Sequence, residues 1–531
     1  MLGMRIVLMG QMQSKGYSGG RYHAWVMAEA MASMGMDVFF VTNARPELAK
    51  NFEIYEHHNR IKLILNYDFY NLRLPIDKAD YCILATSQSL DMEYITVWKE
   101  LAFRLEAILA FINYESPNWY KAVCGKMITR SEKSYRLLKK ACRGGCLIFC
   151  SAEESRKYAR EYYNLDSKRT YFEVWAPAIN SKKADMISED RQNQIIVFIR
   201  ARDKHKGGDD FLELLDSYLF GIKIVCINGT AGSDADFLDM AMKKAKNYHI
   251  ILEFKEALSD EEKFREMKRS KVLLFPSYFE GYGYPPIEAI YCGTSCIAYD
   301  LPVLRETVGN MAEFIPVGDV VALRHRLENI LKHGEFTVKH RPDTAEFDKQ
   351  AERLGEILRC NLELRDVFKT SVIKRMLTEL RLVIYRMRKT KEKQVPVISY
   401  LIDNGTAALT KKIKMDERSW DYIAREVLPL SKVYIWGCGD AYRQLYPVLL
   451  TNVKIEGLID TGLAGCYDTY TGKYIELPDE LDELDPTQLF ILISPLFHID
   501  EIVDALEKKG ITRYLSLCLQ AYGIKSERKV S

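Results

Sequence analysis

Apolar residues along this chain fall into short β-rich runs separated by longer amphipathic stretches, and the alternation restarts twice. Between residue 5 and about residue 180 the runs are RIVLMG (5–10), DVFFVTN (37–43), IKLILN (61–66), YCILAT (81–86), AILAFINY (107–114), CLIFCSA (146–152) and TYFEVWAP (170–177). Continuous apolar runs bounded by turn residues predict parallel strands covered by helices on both faces. The stretch GRYHAWVMAEAMASMG predicts the first helix, stopping at Gly35.

A second series follows: IIVFIRA (195–201), IKIVCING (222–229), IILEFKE (250–256), KVLLFPS (271–277), SCIAYD (295–300) and EFIPVG (313–318). The polar segment SKKADMISEDRQNQ (181–194) is the expected linker between the two series. Residues 340 to 425 carry almost no strand signal, after which a shorter α/β pattern runs from KVYIWGCGDAY (432–442) to RYLSL (513–517). The predicted class is therefore α/β: two tandem Rossmann-like domains (1–180 and 181–360), a basic helical linker (361–425) and a small third Rossmann-like domain (426–531).

Composition narrows the function without naming it. The 531 residues carry 75 Lys+Arg against 73 Asp+Glu, so no global field draws the chain to nucleic acid. No apolar run approaches the roughly 18 residues a membrane span requires, and MLGMRIVLMG lacks a signal peptide's basic head. The expected location is cytoplasmic. Between Arg365 and Lys393 a helical pattern holds ten Lys/Arg against three Asp/Glu, with Leu377, Leu380, Ile384 and Met387 at helical spacing. This pattern fits peripheral contact with the inner face of a membrane, and it equally fits a packed linker helix with a solvated cationic face. The cysteines sit mostly in apolar surroundings, as core thiols do. The Cys142, Cys146 and Cys150 cluster matches neither a zinc-knuckle nor an iron–sulfur spacing, so no metal is expected there.

The chemistry concentrates in KVLLFPSYFEGYGYPPIEAIYCGTSCIAYD (271–300). A buried strand opens into EGYGY, and Pro285 and Pro286 then start a helix. Gly281 and Gly283 let the backbone approach a ligand, and N–H donors beside a helix start suit phosphate. Glu280 and Glu288 stand eight positions apart around that cradle. Taken alone, such a loop is common in α/β folds, and a glutamate in the first helical turn is favoured by the macrodipole. After the first strand of the same domain, however, come Arg202 and Lys206 ahead of Gly207. Both loops project into one crevice, where two cations suit a diphosphate and two carboxylates suit sugar and ribose hydroxyls.

In order and in residues, this pattern resembles the retaining glycosyltransferases of the GT-B fold, group 1 (family four) type. The residues that carry the resemblance are the Glu280-to-Glu288 motif, EFIPVGDVVAL, the loop with Gly19 and Gly20, VWAPAIN (174–180) with Ala178 in place of a usual glycine, and EFDKQAERLGEIL (346–358). The resemblance spans roughly residues 4 to 360. It implies a nucleotide-sugar donor as substrate, a glycan or lipid-linked acceptor, retention at the anomeric carbon, and neither a required cofactor nor a metal. Arg202 and Lys206 would neutralise the diphosphate, with Arg200 the alternative for the first. Gly281, Tyr282, Gly283 and Tyr284 would offer backbone donors, Glu280 would hold the donor sugar, Glu288 the ribose, and Gly19 and Gly20 would face the diphosphate from across the cleft. Many relatives carry a histidine in the first domain where this chain has Tyr114 and Glu115. Glu115 and His23 are the candidates to stand in, although a lone histidine in a helix's first turn is expected at the surface.

In the third domain WGCGDAY opens a helix after a strand, with Gly437 and Gly439 matching a dinucleotide fingerprint, Tyr442 replacing its third glycine, and Asp460 placed as a ribose acid. The pattern resembles small modules attached to polysaccharide-biosynthesis proteins. The leading expectation is a nucleotide-sugar glycosyltransferase of surface polysaccharide assembly. The competing ones are a catalytically inactive GT-B binding protein and a reductase or sensor centred on the third domain.

Overall fold

The structure, a computed structural model, describes residues 3–12, 18–46, 60–65, 74–85, 92–125, 132–200, 203–228, 234–256, 258–333, 342–364, 428–495 and 498–517. They divide into two compact units, Met1–Ile61 with Lys78–Thr370, and Lys62–Asp77 with Ser371–Ser531.

The first unit begins with β1 (Arg5–Met9), α1 (Gly19–Ser33) and β2 (Asp37–Thr42). Strand β3 (Ile61–Leu65) pairs in the second unit and is described there. Next come β4 (Tyr81–Ala85), α2 (Met92–Arg104), β5 (Ile108–Asn113), α3 (Pro117–Cys124), α4 (Lys133–Ala141), β6 (Cys146–Cys150), α5 (Glu153–Tyr163) and β7 (Thr170–Val174). The strands are parallel in the order β2-β1-β4-β5-β6-β7. Strands β4, β5 and β6 are buried along their whole length, which is why they read as unbroken apolar runs. Cys146 and Cys150 lie in β6 and Cys142 just before it, all buried.

The same unit continues with α6 (Ser181–Asp185), β8 (Gln192–Ile199), α7 (Gly208–Leu214), β9 (Lys223–Asn228), α8 (Ala235–Asn247), β10 (Ile251–Glu256), α9 (Asp260–Arg269), β11 (Ser270–Phe275), α10 (Tyr284–Tyr291), β12 (Ser295–Tyr299), α11 (Pro302–Val308), β13 (Glu313–Ile315), α12 (Val320–His333) and α13 (Phe347–Cys360). The second sheet is parallel throughout in the order β10-β9-β8-β11-β12-β13, the strand order of a doubly wound dinucleotide-type sheet. Helix α13 returns to the first sheet's side: Tyr81 Oη donates to the Leu358 carbonyl at 2.6 Å and Trp175 Nε1 to that of Gln350 at 2.9 Å.

The expected linker 181–194 is not a free connection. Asn180 caps α6 through Lys183 N, and Gln194 is buried in β8, where its amide donates to Glu266 Oε2 and Ser270 Oγ, each at 2.9 Å. The Gln194 amide nitrogen is thus satisfied by protein partners, which composition cannot distinguish from satisfaction by water.

The second unit contains β14 (Lys432–Trp436), α14 (Asp440–Leu445), β15 (Ile455–Ile459), β16 (Tyr467–Asp468), β17 (Lys473–Glu476), β18 (Leu489–Ile493), α15 (Ile499–Lys508) and β19 (Tyr514–Ser516). Parallel strands run β19-β18-β14-β15-β17, and β16 turns back antiparallel to β17. Strand β3 pairs in parallel with β16, Tyr467 opposite Ile64 and Asp468 opposite Leu65. Thr469 Oγ1 donates to the Leu65 carbonyl at 3.0 Å, and Leu65 lies in the unit's core. An apolar run announces a strand but not the sheet it joins. The basic stretch 365–393 lies outside the described residues. Among those described, no helix is long and apolar enough to cross a membrane, and no cluster of His, Cys, Asp or Glu is arranged to hold a metal ion.

Candidate functional site

The second sheet reverses its strand order between β8 and β11, and open α/β sheets take ligands beyond the carboxyl ends of such a strand pair. The loop after β8 lies directly on the loop after β11. Gly207 permits this: its φ is +70°, and a Cβ there would stand 2.0 Å from the Pro276 carbonyl oxygen. Tyr278 N and Ser277 Oγ donate to the His205 carbonyl at 2.8 and 3.2 Å, fixing the two loops in register. Lys206 Nζ consequently donates to Glu280 Oε1 at 2.6 Å, with both side chains largely buried. Of the two cations expected here, Arg202 lies outside the described residues. The alternative, Arg200, pairs with Asp203 at 3.3 Å.

Helix α10 opens at Gly283, whose φ of +93° and tight packing on Leu304 exclude a side chain. Pro285 follows in the first turn, and no side chain caps the helix start, which leaves backbone donors for a ligand. Across the cleft, Gly19 stands against the Tyr284 ring and Tyr22 meets that ring edge-on at 4.9 Å between centroids. Tyr114 Oη donates to the Gly20 carbonyl at 2.7 Å. Gly281 lies so close to Tyr114 O and the Glu115 side chain that a Cβ would sit 3.0 and 3.3 Å from them. Ser151 Oγ donates to the Gly281 carbonyl at 2.7 Å, and Tyr282 Oη to that of Pro177 at 3.0 Å. Gly19, Gly20, Glu115 and the 280–284 loop are thus brought together. The buried Tyr284 hydroxyl has no hydrogen-bond partner among the described residues, an unusual state for a buried phenol.

Glu288 is placed differently from an open ribose acceptor. It is 2 % exposed, and its Oε1 accepts from Lys263 Nζ at 2.6 Å. Lys263 also donates to Asp260 Oδ1 at 3.0 Å, while Asp260 Oδ2 accepts from Asn180 Nδ2 at 3.2 Å. Burial pushes the Glu288 carboxyl up to about 7, against the pull of Lys263. Lys263 and Asp260 escaped the sequence reading because DEEKFREMKR looks like a solvated helix face. Of the tyrosines on the opposite wall, Tyr114 stands at the position where relatives carry a histidine, whereas Tyr22 carried no motif that could have found it.

His23 overturns its expected surface position. It is 2 % exposed, with its ring 5.2 Å from Tyr114 and 5.1 Å from Trp175, and burial pulls its imidazole down to about 3. Rings from its own half, Tyr114 and Trp175, cover it, so helical position alone misjudged its exposure.

In the second unit, Gly437 N donates to the Ile459 carbonyl at 2.7 Å, and a Cβ on Gly437 would collide with the Pro495 ring. Asp460 engages its own loops: Oδ2 accepts from Cys438 N at 2.7 Å, and Oδ1 from Gly462 N and Leu463 N at 2.8 and 3.0 Å. Nothing crowds Gly439. Tyr442, at the missing third glycine, is buried and donates to Asp468 Oδ2 at 3.0 Å. A phenol therefore fills the space in which the fingerprint needs close helix–strand approach.

Residues 181–352 match the family described as glycosyl transferases group 1. Among curated proteins, the O-antigen chain mannosyltransferase RfbU of Salmonella typhimurium is 26 % identical over 174 residues, 32 % of this chain and 46 % of the relative. The serotype-specific mannosyltransferase WbdA of Escherichia coli is 28 % identical over 102 residues, 19 % of this chain and 12 % of the relative. The chain thus spans less than half the length of these relatives. Among solved structures, a sucrose-phosphate synthase from Thermosynechococcus elongatus aligns over 72 % of this chain and 99 % of its own at 16 % identity and a TM-score of 0.47. The Anabaena protein HepE in complex with UDP and glucose aligns over 71 % and 100 % at 13 % identity and the same score. The span that is similar to the group 1 glycosyl transferases runs from α6 to the start of α13 and holds both members of the Lys206–Glu280 pair.

Proposed function

We propose that the chain transfers a sugar from a UDP- or GDP-sugar donor to a glycan or lipid-linked acceptor in surface-polysaccharide assembly. The carrying observation is the buried Lys206–Glu280 pair at the strand-order reversal, with Gly19 of the other half against the Tyr284 ring that follows the same loop. Mannose is the first sugar to test, since the matched curated relatives are named mannosyltransferases.

In this reading the bond between the anomeric carbon and the diphosphate oxygen breaks as the acceptor oxygen forms its bond on the same face. The acceptor's proton passes to the departing phosphate oxygen, and configuration is retained. Negative charge grows on the diphosphate, and a fixed ammonium from Lys206 with the α10 backbone donors favours that state over the ground state. These protein charges fill the role a divalent metal would otherwise have. Glu280 anchors the sugar's hydroxyls and forms no covalent bond. Glu115, beside Gly281, faces the acceptor side, and the unpaired Tyr284 hydroxyl is ready to bond substrate. The reaction takes place in the cytoplasm.

Ala178 in place of the usual glycine, and Tyr114 and Glu115 where relatives carry a histidine, favour a second reading, a nucleotide-sugar-binding protein without turnover. A donor panel separates the two. Thermal stabilisation by one nucleotide sugar together with release of its nucleotide supports transfer, and stabilisation with no turnover on any acceptor extract supports binding alone.

A further inference from the structure

Lys263 lies on α9 with its ammonium between two carboxylates, Glu288 on α10 at 2.6 Å and Asp260 on its own helix at 3.0 Å. The Tyr22 ring of α1 covers it at 5.4 Å and the Phe264 ring at 4.8 Å. The second domain half thus supplies the ion pair and the nearer ring, and the first half adds Tyr22 to the cover. One cation shared by two buried acids cannot fully offset both, and removing it would leave Glu288 in a site that favours the neutral carboxyl. A neutral carboxyl loses most of its strength as an acceptor for hydroxyls.

We propose that Lys263 is a positioning residue for Glu288, keeping that carboxylate ionised and oriented to accept from the ribose hydroxyls of the donor nucleotide. The inference rests on the nucleotide-sugar reading above. The groups facing Glu288 are Lys263 and Asp260 from α9, Tyr284 and Cys292 from its own helix and flank, and Tyr22 from α1 through Lys263. Burial pushes the Tyr284 phenol far up and the Cys292 thiol to about 12, so both stay neutral near neutrality. Glu288, held at about 7, is then the group whose charge changes between pH 6 and pH 8.

The test is calorimetric titration of the full chain with GDP and UDP and with their 2′-deoxy and 3′-deoxy forms, at pH values from about 6 to 9. The native chain is expected to prefer the ribose form of one nucleotide by about tenfold at pH 8, the size of one hydrogen bond to a charged acceptor. Lys263→Met should erase that preference at pH 8 and recover it at higher pH, and Lys263→Arg should keep it. A native chain that binds neither nucleotide overturns the nucleotide-sugar reading itself. A native chain that binds but does not discriminate, a Lys263→Met variant that discriminates as the native does, or one that loses discrimination equally at every pH each overturns the role of Lys263. Should Lys263→Met not fold, Asp260→Asn tests the pair from the other side. Removing the competing carboxylate should carry discrimination to lower pH, and an unmoved profile overturns the proposal.

Discussion

Lys206 and Glu280, 74 residues apart in sequence, are joined by a 2.6 Å charge-assisted hydrogen bond between the loops that follow β8 and β11. The strand order makes those loops neighbours, and Gly207 lets them touch. In the proposed reaction the pair would put a cation for the diphosphate and an acceptor for the sugar within one hydrogen bond of each other. Lys206→Ala and Glu280→Ala should each lower initial transfer rates by about a hundredfold or more, with circular dichroism unchanged. The double variant should fall little below the worse single one, because the two act as a unit. Additive losses would argue against a shared site.

Gly207 supports the same contact through its backbone. Gly207→Ala forces a Cβ against the Pro276 carbonyl at a positive φ, and a cost of about 2 kcal/mol or more is expected. Gly309 also has a positive φ, +56°, but a Cβ there would meet nothing within 4 Å, so Gly309→Ala should cost less. Chemical denaturation of both variants gives the comparison, and equal losses would show that the Pro276 contact is unimportant.

Two buried groups on α1 set opposite limits on stability with pH. Burial pulls His23 down to about 3, so folding excludes its proton; the stability this gives is present above the unfolded value near 6.5 and drains as pH falls toward 3. Burial pushes Glu29 up to about 8, so its contribution is full below about 4.5 and is lost as pH rises through 8. Melting temperatures should show His23→Phe flattening the acid limb and Glu29→Gln flattening the alkaline one. Parallel curves for variant and native protein would contradict the burial of either group.

Asp460 is a loop clamp in the second unit, since its two oxygens accept from three backbone N–H groups. Asp460→Ala should destabilise that unit by about 1–3 kcal/mol, the cost of leaving such donors unpaired. Hydrogen exchange at Cys438, Gly462 and Leu463 should accelerate. Unchanged protection there would refute the clamp.

Much of this architecture was legible because its signals are local. Pro285 and Pro286 after a glycine loop announced the start of α10, and continuous runs such as CLIFC announced buried strands. Glu280 and Lys206 could be paired from sequence because parallel α/β topology fixes which loops share a crevice. What stayed hidden depends on partners distant in sequence. IKLIL is plainly a strand, but its pairing of Leu65 with Asp468, about 400 residues away, left no local signal. Lys263 reads as one more surface charge until Glu288 and Tyr22 close around it. His23 sits near a helix start, and its burial depends on the Tyr114 and Trp175 rings, about 90 and 150 residues away in sequence. Asp460 has the spacing of a ribose acid, yet one of its oxygens is held by the very loop whose glycines suggested a nucleotide and the other by its own turn.

The central claim is that Lys206 meets a nucleoside diphosphate at the junction of β8 and β11. Titration calorimetry of the full chain and of Lys206→Ala with GDP and UDP tests it most directly. The account predicts that the native chain binds one of the two and that the variant binds it at least about tenfold more weakly, the loss of one charge-assisted contact. Equal affinity in the two proteins would contradict it.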